Sequence, residues 1–105
     1  MIENKNDMSN NIERILCSAI HYNDELYYGG RPENIKSGYV VCGLRHSNCI
    51  ILHSILTRKT TKSDDIQGFL TSNNRFVDRR EAADIAYKAG QIKDIADCLI
   101  SEDLY

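Results

Sequence analysis

Three arginines, Arg75, Arg79 and Arg80, crowd the predicted start of the last helix of this chain. Cations are unfavourable beside the positive end of a helix, at about 0.3–1 kcal/mol for each exposed charge. Asp78 and Glu81 offset part of that cost, and a bound anion would remove the rest. Helix amides and arginine side chains together are groups that bind phosphate or pyrophosphate. The spacing leaves two interpretations open: a solvated helix start that neutralises its own charge, with Phe76 in the core, or an anion site.

Side chains beside these arginines could recognise the rest of a nucleotide. Phe76 lies between Arg75 and Arg79, and its ring is available either for stacking a base or for the core. Asn73 and Asn74 carry amides that can hydrogen-bond to the edge of a purine. The segment as a whole is therefore compatible with a ligand that combines phosphate groups and a base.

A second polar cluster lies at the start of an earlier predicted helix. This helix start would offer a second binding position for an anion. It consists of Arg45, His46, Ser47 and Asn48. Two such helix ends in one small domain favour a compact, nucleotide-like ligand. A long nucleic acid would need a broader basic surface than a chain of net charge −2 offers.

Cysteine and histidine residues suggest two further kinds of site, a zinc site and a cysteine nucleophile. For both, ordinary buried side chains are the better interpretation. Cys42, His46, Cys49 and His53 follow the pattern C-x3-H-x2-C-x3-H, which matches none of the common zinc frameworks. We therefore expect no metal site.

A helix start and His46 could lower the pKa of Cys49 and make it a nucleophile. No third group is placed to orient the histidine, so we expect an inert, buried cysteine and no enzyme.

Length and composition bound the class of protein. The 105 residues suffice for one domain, and 42% hydrophobic with 27% charged residues is typical of a soluble globular protein. This composition argues against a disordered chain and against a basic nucleic-acid coat. The polar N-terminal sequence MIENKNDMSN has no apolar core, so we expect neither a signal peptide nor a membrane anchor. The four cysteines are then expected to be reduced thiols in a cytoplasm.

The hydrophobic pattern predicts a polar, flexible segment over residues 1–12 and a single domain over residues 13–105. Apolar residues occur on both sides of the stretch RILCSAIHY, which predicts a strand covered on both faces. An exposed loop marked by Gly29, Gly30 and Pro32 follows, and the second strand is YVVCG.

Helical spacing appears twice in the rest of the chain. Ile51, Leu52, Ile55 and Leu56 follow the spacing of one apolar helical face, in a helix capped by Ser47 or Asn48. The short strand IQGFLTS comes next.

The last helix begins at Asp78 and ends before Gly90. Its apolar face consists of Ala82, Ile85, Ala86 and Ala89. One or two further helical turns could follow in QIKDIADCLI. The order β–β–helix–β–helix predicts an α+β fold, with a small antiparallel sheet packed against two main helices.

Ordered stretches of the sequence resemble one known family. CSAIHY, NIKSGYVVCGLRHSNCI, QGFLTSNNRFVDRREAADIAYKAGQI and SEDLY together look like the small phage-encoded Thoeris anti-defence proteins of the first type. The resemblance covers nearly all of the chain from Cys17 to Tyr105. It implies a sponge in the host cytoplasm that captures cyclic ADP-ribose isomers made by bacterial TIR-domain proteins. The downstream defence effector would then never be activated.

The resemblance also implies a site and an assembly. Arg75 and Arg79 would clamp the pyrophosphate of the ligand, and Phe76 or Phe69 would stack on its adenine. The other candidate pocket residues are Asn74, Arg45, His46 and Asn48. The implied assembly is a homodimer with ligand pockets at the subunit interface, or a hexamer that also holds cyclic oligonucleotides. No cofactor, long nucleic acid or membrane is implied.

Two other classes of function stay open at the level of sequence. An enzyme that degrades the same signal, using His46 or Cys49, would release product. A regulatory protein that binds another protein through its dimer face would bind no nucleotide. A binding protein of the sponge type needs preorganised donors and no activated nucleophile.

Overall fold

The computed structural model describes residues 12–24 and 31–104. Its elements are β1 (Ile15–Tyr22), β2 (Tyr39–Gly43), α1 (His46–Thr57), β3 (Ile66–Thr71), β4 (Phe76–Asp78), α2 (Arg79–Lys88) and a 3-10 turn (Ser101–Asp103). The strands form one antiparallel sheet in the order β2-β1-β3-β4. The predicted α+β class with two main helices is confirmed.

Two details of the sequence prediction differ from the structure, and a third is not tested by it. The short strand β4 was not predicted, and the helical turns expected after Gly90 do not form before the 3-10 turn. Residues 1–11, most of the segment expected to be flexible, lie outside the described residues.

Strand β1 lies inside the sheet, between β2 and β3. Ala19 pairs with Cys42 on one side and with Gly68 on the other. Ser18, Ala19 and Ile20 are all fully buried, which confirms the prediction of a strand covered on both faces.

Both helices pack on the same face of the sheet. Ser18 pairs with Phe69, which in turn pairs with Val77, so these three side chains share one face. Ile20 lies two residues from Ser18 and therefore points to that face as well. Helix α2 packs on Phe69 and Val77, and α1 packs beside Ile20 through Cys49. One layer of helices thus covers one side of the sheet, and the starts of both helices lie over its middle strands.

The loop that the sequence predicts to be exposed is anchored to the edge strand β4, while Glu33, Asn34, Lys36 and Ser37 remain exposed. The side chain of Asn34 makes two hydrogen bonds to the backbone of Phe76. Its Nδ2 donates to the Phe76 carbonyl at 2.6 Å, and its Oδ1 accepts from the Phe76 N–H at 2.9 Å. The Glu33 N–H donates to the carbonyl of Asn74 at 2.8 Å. Pro32 is buried as a result. The loop therefore forms hydrogen bonds with backbone groups of β4 and of the turn before it.

Helix α1 differs from the prediction in its start and in its buried face. The helix begins at His46, and Arg45 occupies the N-cap position. The Arg45 N–H donates to Oδ1 of Asn48 at 3.0 Å. The side chains buried against the sheet are His46, Cys49 and His53. The apolar face of Ile51, Leu52, Ile55 and Leu56 is exposed. The sheet accepts the polar face because it supplies hydrogen-bond partners for both histidines.

Helix α2 forms as predicted. The Asp78 side chain accepts from the Glu81 N–H at 2.8 Å and caps the helix. Ala82, Ile85 and Ala86 are buried, and Ala83 joins them. Gly90 has a φ of +76°, the left-handed conformation that commonly follows the end of a helix.

Candidate functional site

Arg79, the first residue of α2, meets His46, the first residue of α1, above strand β3. The Arg79 Nη2 donates to Oε1 of Gln67 at 2.7 Å and lies 3.5 Å from Nδ1 of His46. The His46 Nε2 is 2.7 Å from the carbonyl of Gly68, which can only accept. Nε2 therefore carries the proton, and Nδ1 is the acceptor that faces Arg79. Gln67 and His46 together hold the Arg79 guanidinium in one orientation.

The environment keeps His46 neutral. Burial lowers the pKa of His46 below its ordinary value of 6.5, and the charge of Arg79 lowers it further. The hydrogen bond to Gly68 and the carboxylate of Glu102 act in the opposite direction but do not reverse the shift. The histidine ring also contacts the edge of Phe69, with ring centroids 5.1 Å apart. His46 is thus a fixed acceptor for the arginine.

A cavity of about 200 Å³ adjoins this pair. It is lined by Arg45, His46, Ser47, Arg79, Ile100, Ser101 and Glu102. The first three belong to the start of α1, Arg79 starts α2, and the last three come from the C-terminal segment. The Leu99 N–H donates to the carbonyl of Arg79 at 2.8 Å, which ties that segment to the start of α2. Two guanidinium groups and a helix start therefore face one cavity.

A carboxylate of the protein lies at this cavity. The Arg45 Nη1 lies 3.9 Å from Oε2 of Glu102, whose side chain is 68% exposed. This pair is long and solvated, so its contribution to stability is small. An anionic ligand entering the cavity would compete with Glu102 for the arginine.

Arg75 lies in a separate network. Its Nε and Nη2 donate to the two carboxylate oxygens of Glu13, both at 2.9 Å, and Nη2 also donates to Glu81 at 3.1 Å. The hydrogen bonds to Glu13, chiefly, raise the pKa of Arg75, and the same contact lowers the pKa of Glu13. The charge of Arg75 is thus compensated within the protein. The structure does not bring Arg75 and Arg79 together as a clamp.

The two phenylalanines expected to stack on a base belong to the core. Phe69 is fully buried and Phe76 is 6% exposed, so neither ring presents a face to a ligand in this structure. Asn74 occupies the turn between β3 and β4 with a φ of +58° and is exposed. Asn48 caps α1. Of the residues predicted for the pocket, the structure brings together Arg45, His46 and Arg79.

Cys49 and His53 of α1 take separate partners. Cys49 is fully buried, its thiol donates to the carbonyl of Arg45, and burial raises its pKa to about 11. His53 is hydrogen-bonded to the Tyr39 hydroxyl at 2.8 Å and stacks on Tyr22 with ring centroids 3.6 Å apart. Within residues 12–24 and 31–104, no three side chains of the metal-binding types converge. The thiol of Cys49 is not activated as a nucleophile.

Sequence reasoning missed four residues of the site: Gln67, Ile100, Ser101 and Glu102. Gln67 pairs with Ile20 and so lies on the helix-covered face of β3, a position where a polar side chain needs a partner. That signal becomes visible only once the register of the sheet is known. Glu102 belongs to an acidic C-terminal stretch, but its proximity to Arg45 depends on how that stretch folds back.

These features define a small antiparallel α+β protein with a basic cavity at the starts of its two helices. The chain belongs to the family described as phage T4 y16D protein, whose model matches residues 14–105. No curated protein and no solved structure is significantly similar to it. No helix within the described ranges is long and apolar enough to cross a lipid bilayer.

Proposed function

We propose that this protein is a non-enzymatic sponge for cyclic ADP-ribose-type nucleotides, active in the cytoplasm of an infected bacterium. By sequestering the signal made by TIR-domain proteins, it would block Thoeris defence. The observation that carries this proposal is the cavity that Arg45 and Arg79 share beside the first turn of α1. Membership of a family described by a phage protein supports a role during infection.

The cavity offers the donors that a pyrophosphate requires. A guanidinium has five N–H donors, and the contacts of Arg79 to Gln67 and His46 both use Nη2. Anchoring by one nitrogen orients the group before the ligand arrives, and such preorganisation strengthens binding. Arg45 adds a second cation, and the N-terminal turn of α1 adds the positive end of its dipole.

The size of the cavity limits which part of the ligand it holds. Sites that enclose a whole small molecule usually measure about 300–1,000 Å³. The cavity of about 200 Å³ therefore fits the pyrophosphate, with the ribose and adenine groups outside it. Because Phe69 and Phe76 are buried, we assign the adenine to neither ring.

Two observations support capture over cleavage. The imidazole of His46 is neutral and committed to Gly68 and Arg79, which leaves it poorly placed to move a proton on a ligand. The thiol of Cys49 is buried and protonated at neutral pH. These two groups were the candidates for an enzyme that degrades the signal.

Substitution of one helix arginine tests the proposal. We expect Arg79→Gln to weaken binding of a cyclic ADP-ribose isomer by about 1.5–3 kcal/mol, which is the range for charge-assisted hydrogen bonds. Isothermal titration calorimetry with a panel of such isomers measures the effect. Binding should also weaken at high ionic strength.

Arg80→Gln is the matched control, because it removes the same charge one residue further along α2. Arg80 lines a different groove, together with Tyr87 and Asp97. We expect this variant to bind like the parent protein. Equal losses in both variants would contradict a site at Arg79, and a parent protein that binds none of the isomers would contradict the proposed function.

A further inference from the structure

Two cysteines lie close together on the sheet face that the helices do not cover. Cys42 of β2 pairs directly with Ala19 of β1, and Cys17 lies two residues before Ala19. Because side chains alternate along a strand, Cys17 and Cys42 point to the same face. It is the face opposite the one that Ser18 and Ile20 present to the helices. The two cysteines are thus diagonal neighbours on adjacent strands, and both are free thiols.

The two thiols interact and are not equivalent. A hydrogen bond with the Cys42 side chain lowers the pKa of Cys17 to about 7, although burial acts in the opposite direction. The same hydrogen bond, together with burial, raises the pKa of Cys42 above its ordinary value of 9.0. At neutral pH a large fraction of Cys17 is therefore thiolate, and Cys42 is a thiol beside it. Both side chains are half-buried, so solvent reaches them.

This combination distinguishes the pair from the other two cysteines. Cys49 is fully buried, and burial raises its pKa to about 11. Cys98 is exposed in the C-terminal segment, outside the sheet. An attacking thiol reacts best when its pKa is near the ambient pH, and an adjacent second thiol can then complete a disulfide. The placement of Cys17 and Cys42 meets both conditions.

The backbone at the pair determines what kind of disulfide it can form. Disulfides join residues whose Cα atoms are about 4.4–6.8 Å apart, whereas diagonal neighbours in a sheet are about 7–8 Å apart. Cys17 lies one residue beyond the last β1–β2 pair, Ser18 with Gly43, and the register with β3 shifts between Ile15 and Cys17. An irregular strand end can take up a small movement. The resulting disulfide is strained and hence readily reduced.

We propose that Cys17 and Cys42 form a reversible dithiol–disulfide site, whose reaction partner is a low-molecular-weight disulfide of the glutathione class. The thiolate sulfur of Cys17 attacks one sulfur of that disulfide, its S–S bond breaks, and one small thiolate leaves. Cys42 then loses its proton to solvent, and its sulfur attacks the Cys17 sulfur of the mixed disulfide. The second small thiolate leaves as the Cys17–Cys42 bond forms.

The exchange balances without any other reactant. The two cysteines lose two electrons and two protons, and the small disulfide takes them up to become two thiols. Excess reduced glutathione reverses both steps. A disulfide of this kind is compatible with a reducing cytoplasm, where such bonds are transient.

Peptide mapping by mass spectrometry after incubation with oxidised glutathione tests the site. Trypsin cleaves after Lys36, so Cys17 and Cys42 fall in different peptides unless a disulfide joins them. We expect the parent protein to yield this linked pair of peptides, and excess reduced glutathione to release them.

Three serine variants separate the roles of the cysteines. Cys42→Ser should stop at a mixed disulfide between glutathione and Cys17, because the second thiol is missing. Cys17→Ser lacks the attacking thiolate and should give no link. Cys98→Ser is the matched control and should form the Cys17–Cys42 link to the same extent as the parent protein. Far-UV circular dichroism confirms that each variant is folded.

Alkylation by iodoacetamide gives a second measurement, which does not require the disulfide to form. At pH 7 we expect Cys17 of the parent protein to react about fivefold faster than the more exposed Cys98, because its thiolate fraction is larger.

Two results would overturn the proposal: a parent protein whose Cys17 and Cys42 stay unlinked in oxidised glutathione, or a Cys17 that is alkylated more slowly than Cys98. Neither cysteine lines the basic cavity. Both measurements therefore stay interpretable if the proposed function fails.

Discussion

Arg75 and Arg79 are four residues apart in sequence but have different roles in the structure. The spacing suggested a shared helical side, whereas α2 begins only at Arg79, after the cap at Asp78. Arg75 precedes the short strand β4 and turns toward Glu13, which is 62 residues away in sequence. The arginines are evident in the sequence, but their pairing with a carboxylate so distant along the chain cannot be predicted from it. Arg45, His46 and Arg79 were identified as site residues, and their common cavity required the fold.

At the residue scale, we expect Arg75→Ala to lower the free energy of unfolding by about 1–2 kcal/mol and to leave nucleotide affinity within about twofold. The substitution removes two hydrogen bonds from Glu13, whose side chain is only 17% exposed. The loss is limited because the Arg75 side chain is 34% exposed and solvent screens the pair. Urea denaturation and calorimetry measure the two quantities.

Glu13→Gln is the companion variant for this network. Because both substitutions break the same contact, the double variant should lose less stability than the sum of the single losses. A fall in nucleotide affinity with no change in stability would show instead that Arg75 belongs to the ligand site.

At the scale of elements, α1 shows what a hydrophobic period can and cannot reveal. The spacing of its aliphatic residues identified a helix, and the structure confirms it over His46–Thr57. The same spacing does not say that the sheet provides the Tyr39 hydroxyl for His53 and the Gly68 carbonyl for His46. With these partners the histidine face can be buried, and the aliphatic face is left outside.

The buried face of α1 predicts a pH dependence of stability. Burial lowers the pKa of His46 and of His53 below the ordinary value of 6.5. As pH falls through 6.5, the unfolded chain takes up protons at these sites before the folded chain does. The two histidines should therefore lower the free energy of unfolding as pH falls below 6.5, by at most about 1.4 kcal/mol per pH unit for each histidine.

Urea midpoints between about pH 7.5 and about pH 5.5 measure this slope. Glu13 does not contribute in that window, because its lowered pKa matters only below its ordinary value of 4.5. We expect His53→Gln to have a shallower slope than the parent protein. A parent midpoint that does not change over this range would contradict the burial of neutral histidines.

At the scale of the whole molecule, the alternation of strands and helices was sufficient to predict the fold class. The register of the sheet and the return of the C-terminal segment to Arg79 were not predictable, because both depend on contacts between distant parts of the chain. The candidate site forms at the meeting of the two helix starts with residues 100–102. Arg45, His46 and Arg79 could thus be suspected singly from the sequence, whereas Gln67 and residues 100–102 could not, and the assembly of the site is a product of the fold.

We propose that the cavity lined by Arg45 and Arg79 binds a cyclic ADP-ribose-type nucleotide and releases it unchanged. The most direct measurement loads the purified protein with a cyclic ADP-ribose isomer, removes unbound ligand, denatures the protein by heat and identifies the released compound by chromatography. We predict that the parent protein and Arg80→Gln return the intact isomer in a fixed molar ratio to protein, and that Arg79→Gln returns little. Recovery of a cleaved product, or equal retention by Arg79→Gln and Arg80→Gln, would contradict the claim.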